Sequence, residues 1–380
     1  MVVNSFSYRF YFFVWLLYGA ALIYPDIERV IYQNELMSLL GLTCALKYFV
    51  SNRNSMTKIE VVYLLFLLYG LAVLIVSIGD ILDTGWYLSL RTMPIFYNSL
   101  SFMVGIYMYN CYLRYRSVGE RNVFSLFFLA LTLLTPWRLS PQVFAMFFIS
   151  SYKYALGYLA LFFAINGGST SITAFLLIAV FLAFENKAVI ARFMSTKLIV
   201  MYLVFFLMML YFSSALYESF LSDGYEGIFS FDVNLTWRYM FWVYLFQEVI
   251  SNNPIFGIGF GVPLFDLDVI PDFITSDDGS RNTGHTLGTH NSIIYLLTRM
   301  GLIGVILIGA IHVMIYRCAF DLYKNKKSPE VISLILVNLM FLNSMFFNVV
   351  LESPLYGGGY WASLGILYGA IRFKSINDEY

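Results

Sequence analysis

Apolar runs follow one another along this chain, separated by Pro, Gly and short charged stretches. They fall at approximately 10–24, 34–50, 61–79, 93–112, 122–135, 139–151, 154–166, 171–185, 197–215, 290–316, 331–350 and 359–372. None has the period-2 alternation of an outer-membrane barrel strand. A helix satisfies its own backbone hydrogen bonds in hydrocarbon, so the runs read as helices. Composition supports lipid as the solvent: 60% of the 380 residues are hydrophobic and 12% charged, more apolar surface than a water-soluble fold can enclose. The expected fold class is therefore all-α, a polytopic membrane protein of about 12 transmembrane helices. Several runs are shorter than the roughly 20 residues of a straight crossing. The stretch 139–166 reads either as two short crossings or as one long tilted helix. The run from Phe10 to Tyr24 has no small-residue cleavage site after it, so it reads as a retained first span.

Lys and Arg accumulate in cytoplasmic loops, and this fixes an expected orientation. With the N-terminus inside, Arg53, Lys58, Arg114, Arg116, Arg121, Lys153, Lys187, Arg192, Lys197, Arg317, Lys324, Lys326, Lys327, Arg372 and Lys374 share the cytoplasmic side. The other side holds Arg29, Arg91, Arg138, Arg238 and Arg281, with Arg299 inside a span. Both termini are then cytoplasmic, and the hydrophilic segment 216–289 lies outside. The domain reading is an N-terminal transmembrane bundle over 1–166, a second domain over 167–372 that includes this loop, and a cytoplasmic tail over 373–380.

Loop 216–289 is rich in carboxylates, from Glu218 to Asp278, and its cations are Arg238 and Arg281. An arginine outside has no topological role; it either pairs with a neighbouring carboxylate or holds an anion. The zero formal net charge argues against nucleic acid as a partner. Cys44, Cys111 and Cys318 are odd in number and lack metal-ligand spacing.

Four stretches carry candidate chemistry. Residues 236–251 read as an amphipathic interfacial helix with Trp237, Met240, Phe241, Tyr244 and Leu245 on one face. Arg238, in its first turn, can meet a diphosphate bidentately or snorkel to lipid phosphate. Residues 253–261, NPIFGIGFG, contain a Gly-x-Gly-x-Gly run with no preceding strand, which points to a tight turn and away from a nucleotide fold. Asp266 and Asp268 form an Asp-x-Asp pair of the kind that can hold a metal, a pattern common by chance in an acidic loop; no metal site is expected. His290 opens a span, and an imidazole there can take a proton from a sugar hydroxyl or serve the fold. Asn291 either caps that helix or bonds a substrate hydroxyl. His312, about six turns further along, reads as structural.

Taken in order, Arg238-x-x-x-Trp242, Asn253-Pro254-x-x-Gly257-x-Gly259-x-Gly261, His290-Asn291 with Gly301 and Gly304, and Glu352-x-Pro354 resemble the shared domain of O-antigen polymerases and O-antigen ligases. The ordered motifs cover residues 166–372, and the N-terminal half agrees only in being a string of spans. The resemblance implies a GT-C-like membrane glycosyltransferase of lipopolysaccharide biosynthesis that works without a metal or other cofactor. The implied reaction is an inverting transfer from undecaprenyl-diphosphate-linked oligosaccharide at the periplasmic face of the inner membrane, with a chain-length regulator protein as a further partner. By position, Arg238 matches an arginine that holds the diphosphate and His290 the histidine that activates the acceptor. Asn291, Trp242 and Glu352 fall in the motifs as substrate-binding candidates. The chain departs from the pattern at Gly168-Ser169-Thr170-Ser171, where Thr170 stands in the place of an arginine common in relatives, ligases especially. Either Arg138 or Arg281 is then expected to supply the missing anion contact, or the donor is held differently. The departure favours polymerase over ligase. A flippase or transporter, which generally concentrates ionisable groups within its spans, is the alternative from another class.

Overall fold

The computed structural model describes residues 33–52, 55–116, 200, 204, 238, 241–264, 289–326, 329–346, 349–353 and 356–376. The described part is mostly helical, and no strand occurs among the described residues. The expected spans at 10–24 and over most of 122–215 lie outside it, as do Arg138, Thr170, Arg281, Asp266 and Asp268.

Helix α1 covers Gln33–Asn52 and α2 covers Lys58–Val76. Thr57 and Glu60 start α2 with a capping box: the Thr57 hydroxyl accepts from the Glu60 amide, and the Glu60 carboxylate accepts from the Thr57 amide at 2.8 Å. The same buried carboxylate accepts from Tyr48 of α1 and from Tyr368 and Arg372 near the chain's end. One carboxylate thus ties three helices. Beyond its first turn α2 carries no charge, and Val61, Leu65, Leu68 and Ile75 form an exposed apolar stripe along it.

After Ser77 come two short helices, α3 (Ile78–Thr84) and α4 (Trp86–Thr92), hinged at Gly85 with φ of 90°. Then α5 (Pro94–Tyr97) and a 3-10 turn (Asn98–Leu100) lead into α6 (Ser101–Arg116). Three further helices close the fold: α7 (Ser292–Lys326), α8 (Pro329–Met345) and α9 (Gly357–Ile376). Two stretches, Lys58–Val76 and Ser292–Asn325, are long and apolar enough to cross a membrane.

The packing centre is the α6–α9 pair. A Cβ on Gly105 would lie 2.0 Å from the Ala362 carbonyl oxygen, and one on Gly365 would lie 1.9 Å from that of Phe102. Small residues thus let the two backbones touch. Around them Phe66 stacks on Trp361 at 5.9 Å and Phe102 on Tyr368 at 5.7 Å. A polar clasp joins α8 to α9, in which the Ser363 hydroxyl donates to Asn338 Oδ1 at 3.1 Å. This scaffold positions the start of α7, the segment 241–264 and the connection 349–353.

Candidate functional site

The site is built around the first turn of α7. Asn291 is its N-cap: Oδ1 accepts from the amides of Ile293 and Ile294 at 3.0 and 3.1 Å, and Nδ2 donates to the Phe346 carbonyl at 3.0 Å. Of its two expected roles, Asn291 performs the capping one. His290, just before the cap, has a positive φ of 51°, a backbone state uncommon outside glycine but enriched for histidine. Thr289 secures that turn, its hydroxyl donating to the Asn291 carbonyl at 2.7 Å.

Ser292 joins this turn to the connection between α8 and α9. Its hydroxyl oxygen accepts from the amides of Val350 and Leu351 at 2.9 and 3.0 Å, and its proton goes to Glu352 Oε2. Glu352 is buried, and its Oε1 has no hydrogen-bond partner. Burial pushes the carboxyl up to about 7, against the bonds from Ser292 and the backbone that favour its ionised form. A carboxyl two residues after Val350 and bonded to the helix start that follows His290 is thus partly protonated at neutral pH.

On the other side stands the helix Phe241–Ile250. Trp242, four residues after Arg238, donates its indole N–H to the Thr289 carbonyl at 2.6 Å. The helix that begins three residues after Arg238 is therefore bonded to the residue next to His290. The helix differs from the expected interfacial one. Phe241, Trp242 and Val243 are buried in succession, so it is held inside protein on more than one face. From Leu245 to Ile250 it widens to π-helix, with the Ser251 amide donating to the Phe246 carbonyl at 3.0 Å. Such widening is frequent at functional sites.

The glycine run that follows is a turn, and it docks where α7 is broken. Gly257, Gly259 and Gly261 have φ of 74°, 80° and 85°. In an unbroken helix the Leu302 amide would donate to Thr298 and that of Ile303 to Arg299. Here Gly301 leaves the helical region, with φ of 61° and ψ of −167°. The Leu302 and Ile303 amides donate instead to the Pro254 and Ile255 carbonyls at 2.9 and 3.3 Å. The freed carbonyls of Thr298 and Arg299 accept from the Ile258 and Gly259 amides at 2.8 and 3.1 Å. Two helical bonds are exchanged for four between segments, so the break leaves none of these groups bare. Tyr69 of α2 covers the junction, its hydroxyl donating to the Met300 carbonyl at 2.7 Å. Ser77 Oγ and Thr92 Oγ1 accept from the Phe260 and Gly261 amides, both at 2.9 Å.

Arg299 lies in the break itself. Its side chain is fully buried, with NH1 donating to the carbonyls of Gly259 at 3.2 Å and Val262 at 2.5 Å. Its guanidinium carbon sits 5.3 Å from the ring centre of Tyr295, whose hydroxyl donates to the Thr92 carbonyl.

The structure therefore brings Trp242, His290, Asn291 and Glu352 into one bonded assembly, with Arg238, itself helical, four residues before Trp242 in the chain. Arg138, Thr170 and Arg281 lie outside the described residues. Ser292 and the Thr289 carbonyl were not singled out by sequence, since nothing in a Thr or Ser at a helix start distinguishes a strut from an ordinary cap. Arg299 did carry a signal, a lone cation inside an apolar run. Comparison with protein-family models, curated proteins and solved structures finds no match for the chain.

Proposed function

We propose that the chain is an O-antigen polymerase of the inner membrane, a polytopic protein of about 12 spans with both termini cytoplasmic and loop 216–289 in the periplasm. It joins undecaprenyl-diphosphate-linked oligosaccharide units by inverting glycosyl transfer. One observation supports the reading: stretches far apart in the chain that together make up the resemblance all pack along the first part of α7, between Thr289 and Ile303. Trp242 of the Arg238-x-x-x-Trp242 motif bonds to Thr289, the glycine turn completes the backbone of α7, and Glu352 bonds to Ser292.

In the proposed reaction the acceptor hydroxyl oxygen attacks the anomeric carbon of the donor sugar. The bond from that carbon to the diphosphate oxygen breaks, and the diphosphate leaves with the electron pair. His290 takes the hydroxyl proton, and Arg238 faces the negative charge that grows on the diphosphate. Preorganised charge of this kind contributes roughly 3 to 4 kcal/mol per group and a positioned base about a hundred- to ten-thousandfold in rate. No nucleotide is needed, since the energy resides in the sugar–diphosphate bond.

Gene deletion tests the reading. Loss of a polymerase leaves lipid A core bearing a single repeat unit, whereas loss of a ligase strands finished polymer on the carrier lipid. Complementation with H290A or R238A is expected to give inserted protein and no chain growth. Near-normal polymer from either variant defeats the assignment.

A further inference from the structure

Arg299 is a charge without a visible counter-charge. No carboxylate of the described residues pairs with it; the ion pair found there is Arg372 with Glu60, at another point of the fold. NH1 is spent on the Gly259 and Val262 carbonyls, while Nε and NH2 are buried without a hydrogen-bond partner. Carbonyl dipoles satisfy N–H groups but leave a net positive charge, and a buried cation with two unmet donors is expensive to keep. The break in α7 is closed by backbone bonds that involve no side chain of residue 299, so the fold uses NH1 alone, on the two carbonyls.

Its surroundings are those of a holder for something planar or tetrahedral and negative. The two carbonyls and the Tyr295 ring fix the guanidinium plane. The unmet Nε and NH2 are the pair of nitrogens that together grip two oxygens of one phosphate. Arg299 sits seven residues after the start of α7, about 10 Å along the helix axis. Ser292, Tyr295 and Arg299 follow at spacings of three and four, so they share one face of that stretch. Val262, which receives the shortest of these bonds, is half-buried and is followed by an exposed Pro263.

We propose that Arg299 binds a phosphate-type anion, gripping it with Nε and NH2 beneath the glycine turn. For the carrier of that phosphate, a polyprenyl diphosphate, the proposal rests on the reading of function above. Arg299 then makes a contact that the sequence pattern sought at Arg138 or Arg281 in place of the arginine missing at Thr170.

The test uses the full chain in phosphatidylcholine nanodiscs. Farnesyl diphosphate is the probe, farnesol the uncharged control and inorganic pyrophosphate the competitor. R299K keeps a charge and a donor for Gly259 but loses the two-pronged grip, and R299Q loses the charge as well. Both are expected to weaken farnesyl diphosphate binding at least tenfold and leave farnesol binding unchanged. Displacement by pyrophosphate identifies a site for the phosphate alone; failure of pyrophosphate to compete identifies a site for lipid-borne phosphate. Wild-type affinity in R299K overturns the proposal. So does an internal counter-ion: if D266N or D268N destabilises the protein and R299Q restores it, the loop carboxylate is the partner. Should neither Arg299 variant fold, an electron-microscopy map of the wild-type protein with farnesyl diphosphate decides, with phosphate density on Arg299 supporting the proposal and density elsewhere refuting it. Binding through Arg299 in a chain that makes no polymer would sink the functional reading alone. Unimpaired binding by R299K in an active polymerase would sink this proposal alone.

Discussion

The Ser292 hydroxyl donates to the buried carboxyl of Glu352, 60 residues further along the chain. This bond, with those that Ser292 accepts from Val350 and Leu351, pins the first turn of α7 to the connection that precedes α9. The turn that presents His290 is thereby fixed from the far end of the chain as well as from Trp242.

Stability is expected to depend on pH through Glu352. Its carboxyl titrates near 7 when folded against 4.5 as the ordinary value. Between those values the folded protein holds a proton that the unfolded chain has released. Stability therefore falls as pH rises through that window and levels off above it, by about 3 kcal/mol in all. E352Q keeps the shape without the charge and should flatten the dependence, with a higher thermal midpoint than wild type at pH 8. Equal pH slopes for the two proteins in detergent micelles would show that another group is responsible.

Two glycines of α7 make a matched pair. A Cβ on Gly301 would lie 2.2 Å from the Ile255 carbonyl oxygen, at a backbone angle nearly reserved for glycine, whereas one on Gly309 meets nothing within 4 Å. G301A is expected to cost about 3 kcal/mol or more. G309A should be neutral or stabilising by up to about 1 kcal/mol. Thermal unfolding of both variants checks the contrast, and comparable midpoints would mean that the break in α7 is not held as described.

How much of this could be read from sequence differs residue by residue. The apolar runs matched α1, α2, α8 and α9 to within about five residues and found the start of α7, because a long apolar helix leaves an unmistakable composition; α7 itself continues ten residues past the expected end at 316, where its sequence turns polar and charged. Asn291 as a cap and the glycine run as a turn were also legible, since both rest on local chemistry. The insertion of that turn into α7 was not. It depends on bonds between Pro254–Gly259 and Thr298–Ile303, and a hydropathy pattern is blind to backbone partners distant in the chain. Nor could sequence show that Trp242 and Val243 are as buried as Phe241, since burial on several faces removes the amphipathic signal. The Ser292–Glu352 bond escaped for the same reason as the turn, being a pairing of distant residues.

His290 allows fold and chemistry to be separated. Its φ of 51° suits glycine better than alanine. H290G should match or exceed H290A in thermal stability, by up to about 1 kcal/mol, while both lose polymer formation in the complementation assay. Retained chain growth in H290G would remove the imidazole from the mechanism.

Trp242 is expected to act through position. In W242F the Thr289 carbonyl loses its indole donor within a buried site, at a cost of about 1 to 3 kcal/mol. If the bond orients His290, polymer yield drops while R238A-type loss of donor-lipid binding is not seen. A W242F protein with wild-type yield and lowered stability would confine Trp242 to the fold.

The exchange of partners at Gly301 also divides α7 by its tolerance of length. Adding one residue between Ser292 and Thr298 would set the clamp on Thr298 and Arg299 about 100° out of register around the helix axis with the bonds that hold Asn291 and Ser292, so that either those bonds break and the imidazole turns away or the clamp gives. An added residue beyond Ile303 would leave His290 where it is and be absorbed toward the other end. Drift in the chain's length is thus admissible on one side of the clamp and sets the histidine's turn against the clamp on the other.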